Sequence, residues 1–439
     1  MSAGNLWVLA AVIVCVAAGD VPIIRPPCTK LLIPNDTVTE LQEKCFGAAL
    51  QFTDDYLIVG SCSEAIHVFS NAGTVYLFPL DDLSSPITVR PPFPASNAAF
   101  GDVIAATNDF LFVKDNSLPN AAVSVFVFTL PDVRHTQTLS PTNQSATSIA
   151  ASIEACGDLL IIGVPNTRQD AFTLGAAFLF RLDPETQRWK FSQRVRGNAE
   201  NELFGMKVVI GNDCATFFAA RFRDTTRRLT IHVFDLDPAL GLFIHTDTLP
   251  TNFVDMAALG PALVMSECPD RIALMYQITR ESGRWAIAHS VPPPASVIQD
   301  SFASALAIGV GPTVYFSAGS TEILRLRGGS WAALKSGMTQ PGEQMGVAIA
   351  AHGHLVAVSS ATNDGHSAVY LFAERADHGL VSRLVLWAIG HKAWAALWLF
   401  VGLTVCAAYT AASIVFAGSG TALLWAFSWK GRPTDYDYL

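Results

Sequence analysis

The chain repeats itself. The stretch from Phe46 to Ser61, FGAALQFTDDYLIVGS, opens on an aromatic-glycine pair and sets two apolar runs about a short polar turn, and GTVYLF follows at 73–78. The same order returns as FGDVIAATNDFLFV from Phe100 with AVSVFVF, IAASIEACGDLLIIGVP from Ile149 with GAAFLF, and FGMKVVIGNDCATFFAA from Phe204 with LTIHVF. It continues as FVDMAALGPALVMSECP from Phe253 with IALMYQI, FASALAIGVGPTVYFSAG from Phe302 with TEILRL, and MGVAIAAHGHLVAVSS from Met345 with SAVYLF. The starts are 54, 49, 55, 49, 49 and 43 residues apart.

Short apolar runs bounded by Gly, Asn, Asp and Pro read as strands. A fourth, more polar run fits the intervals, as SPITVRPP at 85–92, WKFSQRV at 189–195, LFIHTDTLP at 242–250 and WAIAHSVPP at 285–293. Four strands in about 50 residues, recurring along the chain, predict one blade of a β-propeller per repeat. The expected fold is all-β, a seven-bladed β-propeller over 45–380. The seventh repeat leaves little room for an outer strand. The segment Thr29–Pro34, within an N-terminal stretch at 20–44, is expected to supply it; the alternative is Leu380–Leu386, with 20–44 as a leader.

The Phe-Gly starts, and the Gly-Val-Pro followed by GAAFLF in the third repeat, resemble FG-GAP repeats, the blades of integrin α-chain heads. The resemblance spans about residues 45–372; it is close in repeats one to four and seven, and looser where Phe-Gly becomes Phe-Val and Phe-Ala in five and six. It implies a propeller that binds other proteins or glycans at the cell surface. Calcium-binding repeats of that family carry a long acidic loop between the first two strands. Ca²⁺ takes about six to eight oxygen ligands. Here the corresponding turns are TDDY, TNDF, ACGD, GNDC, LGPA, GVGP and AHGH, with at most two acids each. Asn, Asp and Gly are what tight hairpins need, so the calcium-free variety is expected, with no metal and no cofactor.

The ends differ from the middle. An apolar run at 6–16, LWVLAAVIVCV, followed by Ala17, Ala18 and Gly19, predicts a signal peptide over 1–19, with a retained anchor or a buried strand as the alternative. No charged residue occurs between Lys392 and Lys430. A helix needs roughly 20 apolar residues to cross a hydrocarbon core. A transmembrane helix is therefore expected at 393–417, after a juxtamembrane linker at 381–392 and before an interfacial segment and short cytoplasmic tail at 418–439. This makes a single-pass type I protein of the plasma or endosomal membrane, with the propeller outside or lumenal. The tail ends YDYL, and Tyr436 with Leu439 resembles a tyrosine-based sorting signal read by clathrin adaptors.

A secretory route agrees with the cysteines. Cys15 and Cys406 fall in the two apolar segments, and six remain in the ectodomain. The repeat register puts Cys45 and Cys62 on one face of the first blade, and Cys156 and Cys214 near the first turns of adjacent blades; those pairs are expected as disulfides. Cys28 and Cys268 have no assigned geometry. Asn35 and Asn143 lie in Asn-x-Thr/Ser sequons and are expected to carry glycans.

The net charge of −9 argues against nucleic acid as a partner. No His-Glu-x-x-His, Gly-x-Ser-x-Gly or phosphate-cradling loop occurs, so no enzyme is expected. His352, His354 and His366 could form a metal element, but the register sets them at opposite ends of a strand. A propeller hydrolase would need paired carboxylates in the central channel, and no acidic pair recurs at inner-strand positions. The loops after each second strand vary most, which is where binding resides on a rigid scaffold. One of them gathers Arg221, Arg223, Arg227 and Arg228, a basic cluster suited to an acidic protein, a sulfated glycan or a lipid headgroup. The expected function is adhesion or reception through a protein or glycan ligand. The alternatives are a lumenal structural subunit of a membrane complex and, less favoured, a glycan-processing enzyme.

Overall fold

The structure, a computed structural model, describes 23–24, 28–31 and 45–374, apart from the stretches 117–123, 141–149, 166–167, 170–171, 174, 198–202, 212, 223–228, 252, 260–261, 268–273, 282–283, 292–293, 295–304, 310–312, 318–321, 336–342 and 363–366. The chain divides into two units, Met1–Glu374 and Arg375–Leu439, and every described residue lies in the first. The expected signal peptide, transmembrane helix and cytoplasmic tail lie outside the described residues. Among those that are described, no helix is long and apolar enough to cross a membrane.

The described chain is all strand and turn, arranged as a β-propeller. The first repeat folds as Phe46–Phe52, Tyr56–Ser61, Thr74–Pro79 and Ile87–Val89, paired antiparallel in chain order. Continuous apolar runs in the middle strands go with the pairing. Leu57, Ile58 and Val59 of the second strand and Val75, Tyr76 and Leu77 of the third are all buried, because both faces of a blade pack on neighbours. The outer strands are more polar, as Arg134–Leu139 and Arg188–Arg196 show, because they meet solvent.

Among the described residues six sheets have four strands and one has five, and Arg168–Gln169 pairs with Phe172–Thr173 as a separate two-stranded ribbon. In the five-stranded sheet Leu306–Gly309, Thr313–Ser317, Ile323–Arg327 and Ser330–Leu334 run antiparallel, and Ile23–Ile24 adds in parallel to the outer strand. The plain four-stranded blade is therefore met six times where the repeats predict seven. The departure comes from the N-terminal segment, which covers an outer edge that would otherwise present unpaired backbone groups. The same segment supplies Cys28–Leu31, antiparallel to Ser367–Ala373, as the outer strand of the last sheet.

The core is distributed between sheets. Seven buried clusters occur among the described residues, each shared by two successive sheets. One of them joins Phe46, Leu57 and Tyr76 of the first sheet to Ala357, Val369 and Leu371 of the last. The first strands of the sheets touch in succession, and that of the last touches that of the first. They form the inner ring.

The repeated Phe-Gly has a physical reason in this ring. Gly101 has φ 91°, and a Cβ there would lie 2.9 Å from the Thr74 carbonyl oxygen of the preceding sheet. Gly205 has φ 85°, and its Cβ would lie 2.5 Å from the Ala176 carbonyl oxygen. Only glycine takes that backbone conformation without strain and leaves room for the neighbouring strand. Phe100 and Phe204, both buried, anchor each start against the sheet before it, and each makes a parallel bridge to a glycine there, Gly73 and Gly175.

A second device ties the outer edges. Each of three outer strands carries a register shift, between His135 and Gln137 in one and within Arg188–Arg196 and Leu242–Thr251 in the others. Just beyond it, Gln137 bonds both backbone groups of Trp189, and Gln193 does the same to Phe243. Asp247 accepts from the Trp285 amide at 3.1 Å. A bulge re-aims one side chain out of the pleat, here toward the next blade.

Candidate functional site

Antiparallel order fixes two rims. The turns between first and second strands lie at one end of the ring, and the loops between second and third strands lie at the other. At the first rim the turns of the first two sheets are short and satisfied. Thr53 bonds Tyr56 through both its amide and its hydroxyl, and Thr107 does the same to Phe110. Asp54 is spent on its neighbours: its amide donates to Asn108 Oδ1 at 3.1 Å, its carboxylate accepts from Asn108 Nδ2, and Oδ1 lies 3.3 Å from His352 Nε2. His352 stacks on Phe52 with ring centroids 6.0 Å apart. Among the described residues no group of three or more His, Cys, Asp or Glu could hold a metal ion. His354 does not join His352 in one, and His366 lies outside the described residues.

The disulfides sit where the register put them. Cys156 and Cys214, with Cα atoms 5.5 Å apart, tie first turns of adjacent sheets. Cys45 and Cys62, with Cα atoms 5.4 Å apart, tie the start of the first strand to the opposite rim.

Over the first sheet that opposite rim is described throughout. The loop from Cys62 to Gly73 is anchored at its base by Cys62. It folds back on itself through two hydrogen bonds between Ile66 and Phe69. Beneath it Glu64 is buried and accepts from the Tyr76 hydroxyl at 2.8 Å. Burial raises the Glu64 carboxyl pKa, only partly offset by the Tyr76 and Thr74 hydroxyls. Burial also raises that of Tyr76, helped by the Glu64 charge. The loop is buttressed sideways by the link to the second sheet: Asn71 Nδ2 donates to Asn97 Oδ1 at 3.1 Å, and Asn97 and Ala99 amides donate to Ser70 and Asn71. His67, Asn71 and Asn97 take positive φ. On this braced base Val68 is 85% exposed and Phe93 63% exposed. Loops on a rigid scaffold are where binding tends to reside, and these two side chains offer a partner apolar contact area.

Of the basic cluster, Arg221 lies on the strand Thr216–Phe222, and Arg223, Arg227 and Arg228 fall outside the described residues. So do Asn35, Asn143, Cys268, Tyr436 and Leu439.

The inner ring holds a charged group that the repeat pattern did not reveal. Glu154 on Ser152–Cys156, Lys207 just before Val208–Ile210 and Asp255 on Phe253–Leu259 come from three successive first strands. Lys207 Nζ lies 2.9 Å from Asp255 Oδ1, and Asp255 Oδ2 accepts from the Leu306 amide at 3.1 Å. Burial pushes the Glu154 carboxyl pKa up to about 7, against the pull of Lys207 and with the repulsion of Asp255. Burial opposes the Lys207 charge, but Asp255 and Glu154 outweigh it and raise its pKa. The three residues occupy non-equivalent places in their repeats, so an aligned pattern search passes over them.

The sequence matches no described protein family. No curated protein matches it. Among solved structures it is similar to Kuenenia stuttgartiensis hydrazine synthase, with a TM-score of 0.50 at 11% identity, over 76% of this chain and 97% of that one. It is also similar to the Dos1 propeller, with a TM-score of 0.45 at 11% identity, over 75% of this chain and 77% of that one. At such identity the likeness concerns the fold alone.

Proposed function

We propose that this protein is a membrane-tethered, non-enzymatic binding protein whose propeller grips a protein or glycan ligand on the rim of the loops between second and third strands. The observation that carries the reading is the braced loop Cys62–Gly73 with Val68 and Phe93 exposed beside it. The fold is compatible with a protein-binding role. We count the five-stranded sheet as a seventh blade, supported by the closed succession of first strands, and read the whole as an FG-GAP-like ring of the calcium-free kind. The apolar segment at 393–417 tethers it, and Tyr436 with Leu439 directs it to endosomes. Adhesion or reception is the role that fits.

Partner capture by the purified ectodomain, with and without a calcium chelator, tests this reading. The same partners are expected in both arms; binding lost on chelation contradicts it. Tail variants Tyr436→Ala and Leu439→Ala are expected to hold the protein at the surface, and unchanged localisation rejects the sorting signal.

A second reading rests on Glu154 and Asp255, which supply two carboxyl groups on the inner ring, one titrating near neutrality. A glycan hydrolase would use them as a pair. The Lys207 and Leu306 contacts that hold Asp255 favour a structural part. Hydrolysis of a glycan by the wild type that is lost in Glu154→Gln would favour the enzyme.

A further inference from the structure

We infer that the two outermost strands of the fourth sheet carry a binding site for a borderline divalent metal ion, of the Zn²⁺, Cu²⁺ or Ni²⁺ class, formed by His232, His245 and the hydroxyl of Thr248. The site is separate from the rim proposed above and does not depend on it. His232 lies on Leu229–Asp237 and His245 and Thr248 on Leu242–Thr251, which pair antiparallel with a register shift at Thr246. The bulge turns His245 back toward His232. Their nitrogens, Nδ1 of His232 and Nε2 of His245, lie 3.1 Å apart. Thr248 Oγ1 is 2.9 Å from the His245 nitrogen and 3.4 Å from that of His232.

Three donor atoms thus form a triangle of 2.9, 3.1 and 3.4 Å. A metal bound at about 2.0–2.1 Å sets neighbouring donors about 2.9 Å apart at a right angle and about 3.3 Å apart in a tetrahedron. The triangle has the dimensions of one face of such a polyhedron. A hydrogen-bond relay from the His245 Nε2 N–H to Thr248 Oγ1 and on to His232 Nδ1 uses two of the three edges. An imidazole nitrogen has one in-plane direction, either a lone pair or an N–H, yet His245 Nε2 has two neighbours within 3.1 Å. One ion over the triangle would be shared by all three donors.

The rings are also held in place. Phe204 packs on His232 with centroids 5.6 Å apart, and Phe234 on His245 at 5.3 Å. The nearby carboxylates are committed elsewhere: Asp235 accepts from Thr216 and Thr246, and Asp247 from the Thr248 and Trp285 amides. The ion would keep water at its open positions. His245 and Thr248 are exposed, so entry is unobstructed.

Zinc chloride titrated calorimetrically into the full-length protein tests the site, with bound Co²⁺ absorption as a second readout. One ion per chain is expected, with affinity at least tenfold weaker in His245→Ala and unchanged in His352→Ala. His245 is exposed and His352 half-buried, and circular dichroism checks that each variant folds. No zinc retained at millimolar concentration, or retention unaffected by His245→Ala, overturns the inference.

Discussion

Asp54 of the first sheet lies 3.3 Å from His352 of the last, across the junction where the ring closes. With Asn108 bonded on its other side, one turn residue links three sheets. Both its carboxylate oxygens have partners, Asn108 and His352. Asp54→Ala is expected to lower stability by about 0.2–1 kcal/mol, the range for exposed pairs. A calcium-selective chelator, added to protein already freed of transition metals, should leave the melting temperature of the wild type unchanged. Calorimetry of both proteins with and without chelator reads this directly, and a chelator-induced drop would contradict it.

The Phe-Gly starts allow a sharper prediction. Gly205→Ala must take φ 85° and place a Cβ 2.5 Å from a backbone oxygen. Backbone strain of that kind costs about 1–3 kcal/mol before any clash is counted. Denaturant unfolding should show a loss at least that large. In Gly241→Ala, where φ is 65° but nothing lies within 4 Å, the loss should be smaller.

These two cases mark what was legible in the sequence. The strands were, because a blade buried on both faces forces apolar runs, and the glycines were, because backbone contact tolerates nothing else. The outer strand Cys28–Leu31 was approachable because the last repeat lacks one. The parallel edge strand Ile23–Ile24 was not, since two residues carry no period. Nor were Glu154, Lys207 and Asp255, which meet only in the ring, or the side-chain reach of Gln137, Gln193 and Asp247, which depends on bulges.

The closing strand also brings a charge. Glu343 is 3% exposed and accepts from Ser360 and Tyr370 hydroxyls, while Lys30 Nζ lies 3.7 Å away and 5.1 Å from the Tyr370 ring centroid. Lys30→Met removes a cation from beside a buried carboxylate, and losing a partner is destabilising in buried pairs. With Lys30 part-exposed, a loss of about 1–3 kcal/mol is expected. The double variant Lys30→Met, Glu343→Gln should recover part of it. Equal losses in the single and double variants would show that the charge pair is not the cause.

Glu154 makes stability depend on pH. Its carboxyl pKa rises from 4.5 to about 7 on folding, so the folded state holds the proton more tightly than the unfolded one. This contribution is fully present below pH 4.5 and is lost as pH rises through about 7. Melting temperature should therefore fall for the wild type between mildly acidic and neutral pH. In Glu154→Gln that part of the slope should vanish. An unchanged slope would place the pH dependence elsewhere.

The central claim is that the rim over the first sheet binds a partner without calcium. The most direct measurement is binding of a captured partner to the ectodomain carrying Val68→Asp and Phe93→Asp, in the presence of chelator, with folding checked by calorimetry. Both side chains are exposed, so the melting temperature should hold while affinity falls at least tenfold, about 1.4 kcal/mol. Undiminished binding by the double variant would contradict the claim.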